Sequence, residues 1–180
     1  RRRHEIEGDR SSLAHVAETE ARIALAGGRL DDALRLAQEA EALARASGNE
    51  RALGQALMTT ARTLEVLGRP EDAVAAYERA IELDPTLVGA HYGVAFLLLK
   101  RGDAGLAADH LRAFLARPPK GPDADRWIKH AEAALEDAER YVQARIGRNH
   151  PAETTGCWIA AAFEHDSARP VDGYAVPQMH

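Results

Sequence analysis

The sequence has little of what disulfide bonds or membrane spans require. Cysteine occurs once, at Cys157, which excludes an internal disulfide and is compatible with a reducing compartment. No apolar run approaches the length that crosses a membrane, and the run at 94–99 is far too short. Only 5% of the residues are aromatic although 46% are apolar, because much of the apolar content is alanine. Regularly spaced leucine and 28% charged residues then favour closely packed helices over sheets.

The charge balance and the absence of catalytic motifs limit the classes of function that we expect for the chain. A formal net charge of -5 and a pI near 5.9 argue against nucleic acid as the main partner. No C-x-x-C, H-E-x-x-H, G-x-S-x-G or phosphate-binding glycine loop occurs, and His150, Cys157 and His165 lack metal-site spacing. We therefore predict no enzymatic activity, metal, cofactor or membrane partner, and a cytoplasmic location. The chain starts at Arg1 without methionine, so we expect a fragment or a processed product.

Glycine and proline divide the rest of the chain into helices. Gly68 can adopt the left-handed conformation that ends one helix, and Pro70 suits the first turn of the next. Pro85 forbids continuation of that second helix. Ser11 and Ser12 are expected to cap a first helix, and Asp123 a last one. The expected helices cover about 13–26, 30–47, 51–67, 70 to the stop at 85, 86–100, 104–116 and 123–146.

The same markers recur at one interval. A spacing of 34 residues separates Gly68 from Gly102, and Ala61–Ala95, Ala73–Ala107 and Pro85–Pro119 repeat it. That is the period of the tetratricopeptide helix–turn–helix unit, and the chain resembles that family. The matching residues are Leu57, Ala61, Leu64, Gly68, Ala73, Tyr77, Ala80 and Pro85 in one repeat, and His91, Val94, Ala95, Leu98, Gly102, Ala107, Leu111 and Pro119 in the next. An earlier unit, offset by 40 residues, carries Ala21, Gly28, Ala33 and Ala40.

The resemblance implies an all-α fold, a right-handed superhelical solenoid of about three repeats. We expect a charged lead-in at 1–12, with residues 1–10 alternatively the tail of an upstream helix. Repeats are expected over 13–119 (about 13–50, 51–85 and 86–119), a capping helix at 120–147 and an irregular tail at 148–180. Phe114 stands where the family usually has alanine, and we expect it to pack against the capping helix near Trp127. The tail contains an apolar segment at 157–163, which either folds back on the repeats, occupies a groove or is disordered.

In this family the first helix of each repeat lines a concave groove that binds protein partners. The groove positions carried over to this chain are Glu18, Arg22, Gln55, Met58, Arg62, Glu65, Tyr92, Phe96, Leu99 and Lys100. Aromatic and methionine side chains at this spacing suit peptide anchors. The competing interpretation is that the capping helix covers Phe96 and Leu99. Some members of this family hold the C-terminal carboxylate of a chaperone with a clamp of lysine, asparagine and arginine side chains. The corresponding positions of this chain supply only one basic residue, so such a clamp is disfavoured.

The sequence therefore predicts a scaffold or adaptor of bacterial type that binds a partner peptide or helix in the groove. One alternative is a regulatory or sensing segment of a larger enzyme or transcription regulator. Another is self-association, with the tail of one copy in the groove of a second copy.

Overall fold

The computed structural model describes the backbone of residues 2–146 and the side chains of residues 9–146. These residues form seven helices and no strand, which confirms the all-α class. The helices are α1 (Arg2–Ala26), α2 (Leu30–Ser47), α3 (Glu50–Val66), α4 (Pro70–Leu83), α5 (Val88–Arg101), α6 (Ala104–Ala116) and α7 (Ala124–Ile146). The tail expected at 148–180, with its apolar segment and any self-association through it, lies outside the described residues.

The corner between α3 and α4 has the geometry that its sequence predicts. Gly68 adopts a positive φ of 73°, and its N–H donates to the Glu65 carbonyl at 3.0 Å. The next amide, that of Arg69, donates to the Leu64 carbonyl at 2.9 Å, so two carbonyls at the end of α3 are satisfied. Pro70 then occupies the first turn of α4, where a missing N–H costs no hydrogen bond.

The start of the chain differs from the prediction. Helix α1 begins at Arg2 and runs through the residues expected to form a charged lead-in. Ser11 therefore lies inside the helix, and its assignment as a cap is wrong. Its hydroxyl instead accepts a hydrogen bond from Asn49 Nδ2 at 2.8 Å. Asn49 also caps α3, because its Oδ1 accepts from the Ala52 amide at 3.0 Å.

The chain divides into two compact units, residues 1–90 and the residues from 91 onward. Unit 1 contains α1 to α4, where α1 packs on α2, α2 on α3 and α3 on α4. Alanine dominates its core because a methyl group lets two helix backbones approach closely. Larger side chains, among them Leu57 and Tyr77, fill the remaining space. The buried alanines of unit 1 include Ala14, Ala17, Ala21, Ala24, Ala33, Ala37, Ala40, Ala44, Ala56, Ala61, Ala73, Ala76 and Ala80.

Unit 2 contains most of α5, together with α6 and α7. Helices α6 and α7 pack against each other, and Arg112 of α6 donates to Glu139 Oε1 of α7 at 2.7 Å. Leu111 is fully buried, and Phe114 is 3% exposed. On α7 one apolar face packs inward, with Ala131, Ala134, Ala138 and Tyr141 buried. The core of unit 2 is thus more aromatic than that of unit 1.

Candidate functional site

Five ring side chains of unit 2 form what we call the aromatic cluster: Tyr92, Phe96, Phe114, Trp127 and His130. Helix α5 supplies the first two, α6 supplies Phe114, and α7 supplies the last two. Tyr92 lies at the centre. Its ring centroid is 4.6 Å from that of Phe96, 5.1 Å from Phe114 and 5.3 Å from Trp127, which it meets edge-on at 87°. Tyr92 therefore contacts both Phe114 and Trp127, two residues that the sequence analysis placed near each other.

Hydrogen bonding and stacking orient the exposed part of the aromatic cluster. The Tyr92 hydroxyl lies 2.5 Å from His130 Nδ1. The imidazole of His130 stacks on Phe96 with a centroid distance of 4.6 Å and an interplanar angle of 2°. Phe114 is buried below, whereas Tyr92, Phe96, Trp127 and His130 are half-buried. The cluster thus offers solvent a set of ordered ring surfaces, on which an apolar or aromatic side chain can pack.

A second histidine contact joins α5 to α6 beside the aromatic cluster. The Nδ1 atoms of His91 and His110 lie 3.0 Å apart, with the ring centroids 5.3 Å apart and the planes at 42°. One Nδ1 must carry a proton and donate while the other accepts. Partial burial lowers the pKa of His110 below its ordinary value, and the neighbouring Asp109 carboxylate opposes this shift. Burial thus favours the neutral form of His110.

Glu18 occupies the polar centre of the contact between α1 and α3 in unit 1. The residue is only 6% exposed, and its Oε1 accepts a hydrogen bond from the Thr59 hydroxyl at 3.0 Å. Arg22 Nε lies 3.8 Å from the same oxygen. A buried carboxylate needs such partners, since desolvation without them would be costly. Glu18 therefore links α1 to α3, and little of it is open to solvent; its role in a groove stays a prediction.

Two further glutamates of unit 1 accept hydrogen bonds from hydroxyl groups on other helices. Thr60 of α3 donates to Glu41 Oε1 of α2 at 2.6 Å, and Tyr77 of α4 lies 3.5 Å from Glu65 Oε2 of α3. Both are links between neighbouring helices. They restrict the orientation of these carboxylates on the unit 1 surface.

The remaining predicted groove residues fall into two sets. On α3, Gln55, Met58, Arg62 and Glu65 are all half-buried and follow one another at helical spacing. On α5, Tyr92 and Phe96 are half-buried neighbours, and Lys100 is exposed.

Leu99 does not face solvent: it is 2% exposed. Its place in the groove is therefore corrected, and the competing interpretation of a covered side chain fits this residue. The sequence analysis did not assign Phe114, Trp127 or His130 to a site. The available signal was the spacing of Trp127 and His130, since residues i and i+3 share one face of a helix.

Two other features are absent from the part of the chain that the structure describes: a metal site with three or more ligating side chains and a membrane-spanning helix. Residues 9–146 contain no group of three or more histidine, cysteine, aspartate or glutamate side chains positioned to hold a metal ion. Within the described helices, none is both long and apolar enough to cross a membrane.

Comparisons with known proteins identify similarities in two parts of the chain. A family model described as tetratricopeptide repeat matches residues 18–88 and 58–125, which together cover more than half of the chain. A second model, described as TrwC relaxase, matches residues 124–180, beginning where α7 begins. No curated protein sequence matches the chain.

Among solved structures, the chain is similar to one titled as the TPR2B domain of yeast Sti1 in complex with pHsp70. The TM-score is 0.58 and the sequence identity 19%, over 72% of this chain and 98% of that chain. At that identity the likeness concerns the fold.

Proposed function

The chain belongs to the tetratricopeptide repeat family, and we propose that it acts as a scaffold or adaptor that binds a segment of a partner protein. The observation that carries this proposal is the half-buried aromatic cluster on unit 2. Tyrosine and tryptophan are enriched among the residues that dominate binding energy at protein interfaces, especially where their neighbours hold them rigid. Tyr92 is held by four ring neighbours and by a hydrogen bond to His130.

The exposed ring surfaces favour an apolar anchor on the partner. Burying one leucine- or phenylalanine-sized side chain against them contributes about 1.5–3 kcal/mol. Phe96 and His130 are stacked in parallel and both are half-buried, so the part of this pair that solvent reaches can contact a partner side chain. The partner segment is therefore expected to place an aliphatic or aromatic side chain against Phe96.

Charged residues on α3 of unit 1 are proposed to make a separate contact with the partner. Arg62 and Glu65 are half-buried side chains three residues apart, and they carry opposite charges. Charge complementarity at such positions contributes more to specificity and association rate than to affinity. Met58, four residues before Arg62, supplies an adaptable apolar contact beside them.

A peptide-display selection with the chain as bait would test the proposal even though the partner is unidentified. We expect selected peptides to share an apolar or aromatic anchor. Phe96→Ser should weaken their binding at least about tenfold, the equivalent of about 1.4 kcal/mol. Leu106→Ser is the matched control, because Leu106 is a large apolar residue of unit 2 that is 56% exposed and lies outside the aromatic cluster. It should bind as the wild type does.

Circular dichroism would first establish that both variants keep the helical content of the wild type. If a folded Phe96→Ser chain bound the selected peptides as tightly as wild type, the aromatic cluster would not be the binding surface. A selection that returned no apolar anchor would also contradict the proposal.

A second candidate is regulation of a larger enzyme by the repeats. The match of residues 124–180 to the TrwC relaxase model favours it, because it starts directly where the tetratricopeptide match ends. Helix α7 would then belong to both regions, since it packs on α6 and begins the relaxase-like segment. In this arrangement a partner bound to the repeats would act on relaxase activity through α7.

This second candidate requires that the chain be part of a longer protein, and that protein is the one to test. Its relaxase activity would be measured with and without a selected peptide, and again in the Phe96→Ser form. If the repeats regulate the enzyme, the peptide should change the relaxase activity of the wild type and should have no effect on that of the Phe96→Ser form. Activity that ignores the peptide, or that is lacking altogether in the longer protein, would exclude this candidate.

A further inference from the structure

The paired imidazoles of His91 and His110 are arranged like two adjacent ligands of one metal ion. We propose that their Nδ1 atoms, 3.0 Å apart on α5 and α6, form a binding site for a divalent transition-metal ion, with Cu²⁺ bound most tightly. The site is independent of the aromatic cluster, whose histidine is His130.

The two nitrogens are close enough for one metal ion to reach both. If each nitrogen lies about 2.05 Å from the metal, a separation of 3.0 Å corresponds to an N–metal–N angle of about 94°. This is close to the right angle between adjacent ligands in square-planar or octahedral complexes. A tetrahedral ion such as Zn²⁺ would need the nitrogens about 3.3 Å apart. Both separations are within reach once the two rings turn, and the general affinity order of nitrogen sites then favours Cu²⁺ over Zn²⁺.

The two histidines are held by regular helices rather than by loops. His91 lies in the first turn of α5 and His110 at the middle of α6. Their rings already contact each other, so a metal has to turn two side chains and need not move the backbone. Both residues are half-buried, which leaves room for water to complete the coordination sphere.

Metal binding replaces the hydrogen bond between the two imidazoles with two nitrogen–metal bonds, and the number of protons on the pair stays the same. In the neutral pair, one Nδ1 carries a proton that the other accepts. Ligation through both Nδ1 atoms requires this proton to move to Nε2 of the same ring, through solvent. No proton is released overall when both rings start neutral. The carboxylate of Asp109, next to His110, adds a favourable charge for a cation, although it also pairs with Arg112 at 2.8 Å.

The test is a titration of the full chain with CuCl₂, NiCl₂ and ZnCl₂, followed by calorimetry. Because the chain has eight histidines, single variants are needed to assign the site. We expect His91→Gln and His110→Gln each to weaken Cu²⁺ binding about tenfold or more. His15→Gln, a change at an exposed histidine of unit 1, should leave it unchanged. Cu²⁺ should bind more tightly than Zn²⁺.

Electron paramagnetic resonance of the Cu²⁺-loaded chain gives a second readout. The wild type should show hyperfine coupling of Cu²⁺ to two equivalent nitrogens. The double variant His91→Gln/His110→Gln should lose this coupling. Selective broadening of the two imidazole NMR signals by substoichiometric Cu²⁺ reports the same site in the wild type, even if a variant fails to fold. Equal Cu²⁺ affinity in folded His91→Gln and wild type, or broadening confined to other histidines, would overturn the proposal.

Discussion

The hydrogen bond between Tyr92 and His130 is the structural link that a double-mutant cycle can measure most directly. Tyr92→Phe removes the hydroxyl that lies 2.5 Å from His130 Nδ1 and keeps the ring. His130→Phe removes the nitrogen and keeps a planar ring that can stack on Phe96. Each variant therefore breaks the hydrogen bond with little change in the packing, as such a cycle requires.

We expect a coupling free energy of about 1 kcal/mol. A typical hydrogen bond within a protein contributes about 0.5–1.5 kcal/mol net, because the unfolded chain bonds to water instead. Both residues are half-buried, so water can reach a partner left alone and the value should not exceed that range. Tyr92→Ala also removes the ring contacts with Phe96, Phe114 and Trp127, and should cost about 3 kcal/mol.

Urea unfolding followed by circular dichroism and by tryptophan fluorescence would give these values if the two signals change together. A coupling below about 0.3 kcal/mol would show that the hydroxyl and the imidazole do not act as partners, since it falls well short of the usual contribution. If Tyr92→Ala were no more destabilising than Tyr92→Phe, Tyr92 would not be the centre of the aromatic cluster.

Three further changes test other parts of the structure by the same unfolding measurement. Leu111→Ala, at a fully buried site, should lower the free energy of unfolding by about 2–5 kcal/mol. Leu106→Ala, at an exposed site, should lower it by less than about 0.5 kcal/mol. Equal effects of the two changes would contradict the packing of α6. Asn49→Ala should cost about 1 kcal/mol through loss of the α3 cap, and Asn49→Asp, which keeps the accepting oxygen, should cost less. Burial lowers the pKa of His110 below its ordinary 6.5, so the unfolded chain takes up that proton at higher pH than the folded chain does. The free energy of unfolding should therefore fall as the pH drops below about 6.5, then level off below the folded pKa, and His110→Gln should reduce this fall; an unchanged pH profile in the variant would contradict it.

The order of helices and corners could be predicted because it depends on neighbours along the chain. Gly68 ends a helix since its backbone can adopt a positive φ, and Pro70 starts the next since its φ already suits a helix. Alanine at regular spacing marks where helices cross, and the 34-residue interval repeats these local rules. The prediction failed at Ser11, because a serine can cap a helix or lie within one, and a partner 38 residues away holds it in place.

Residues that are distant in the chain meet only through the packing of the helices. Tyr92 and His130 are 38 residues apart, and nothing in the local pattern of α7 shows that His130 turns toward α5. Leu99 and Phe96 both fit a groove by their spacing, yet Leu99 is buried while Phe96 is only half-buried. Periodicity tells which residues share a helix face, but the exposure of that face depends on the neighbouring helix. The fold thus follows from backbone preferences written along the sequence, whereas the ring contacts of the candidate site exist only once α5, α6 and α7 are packed.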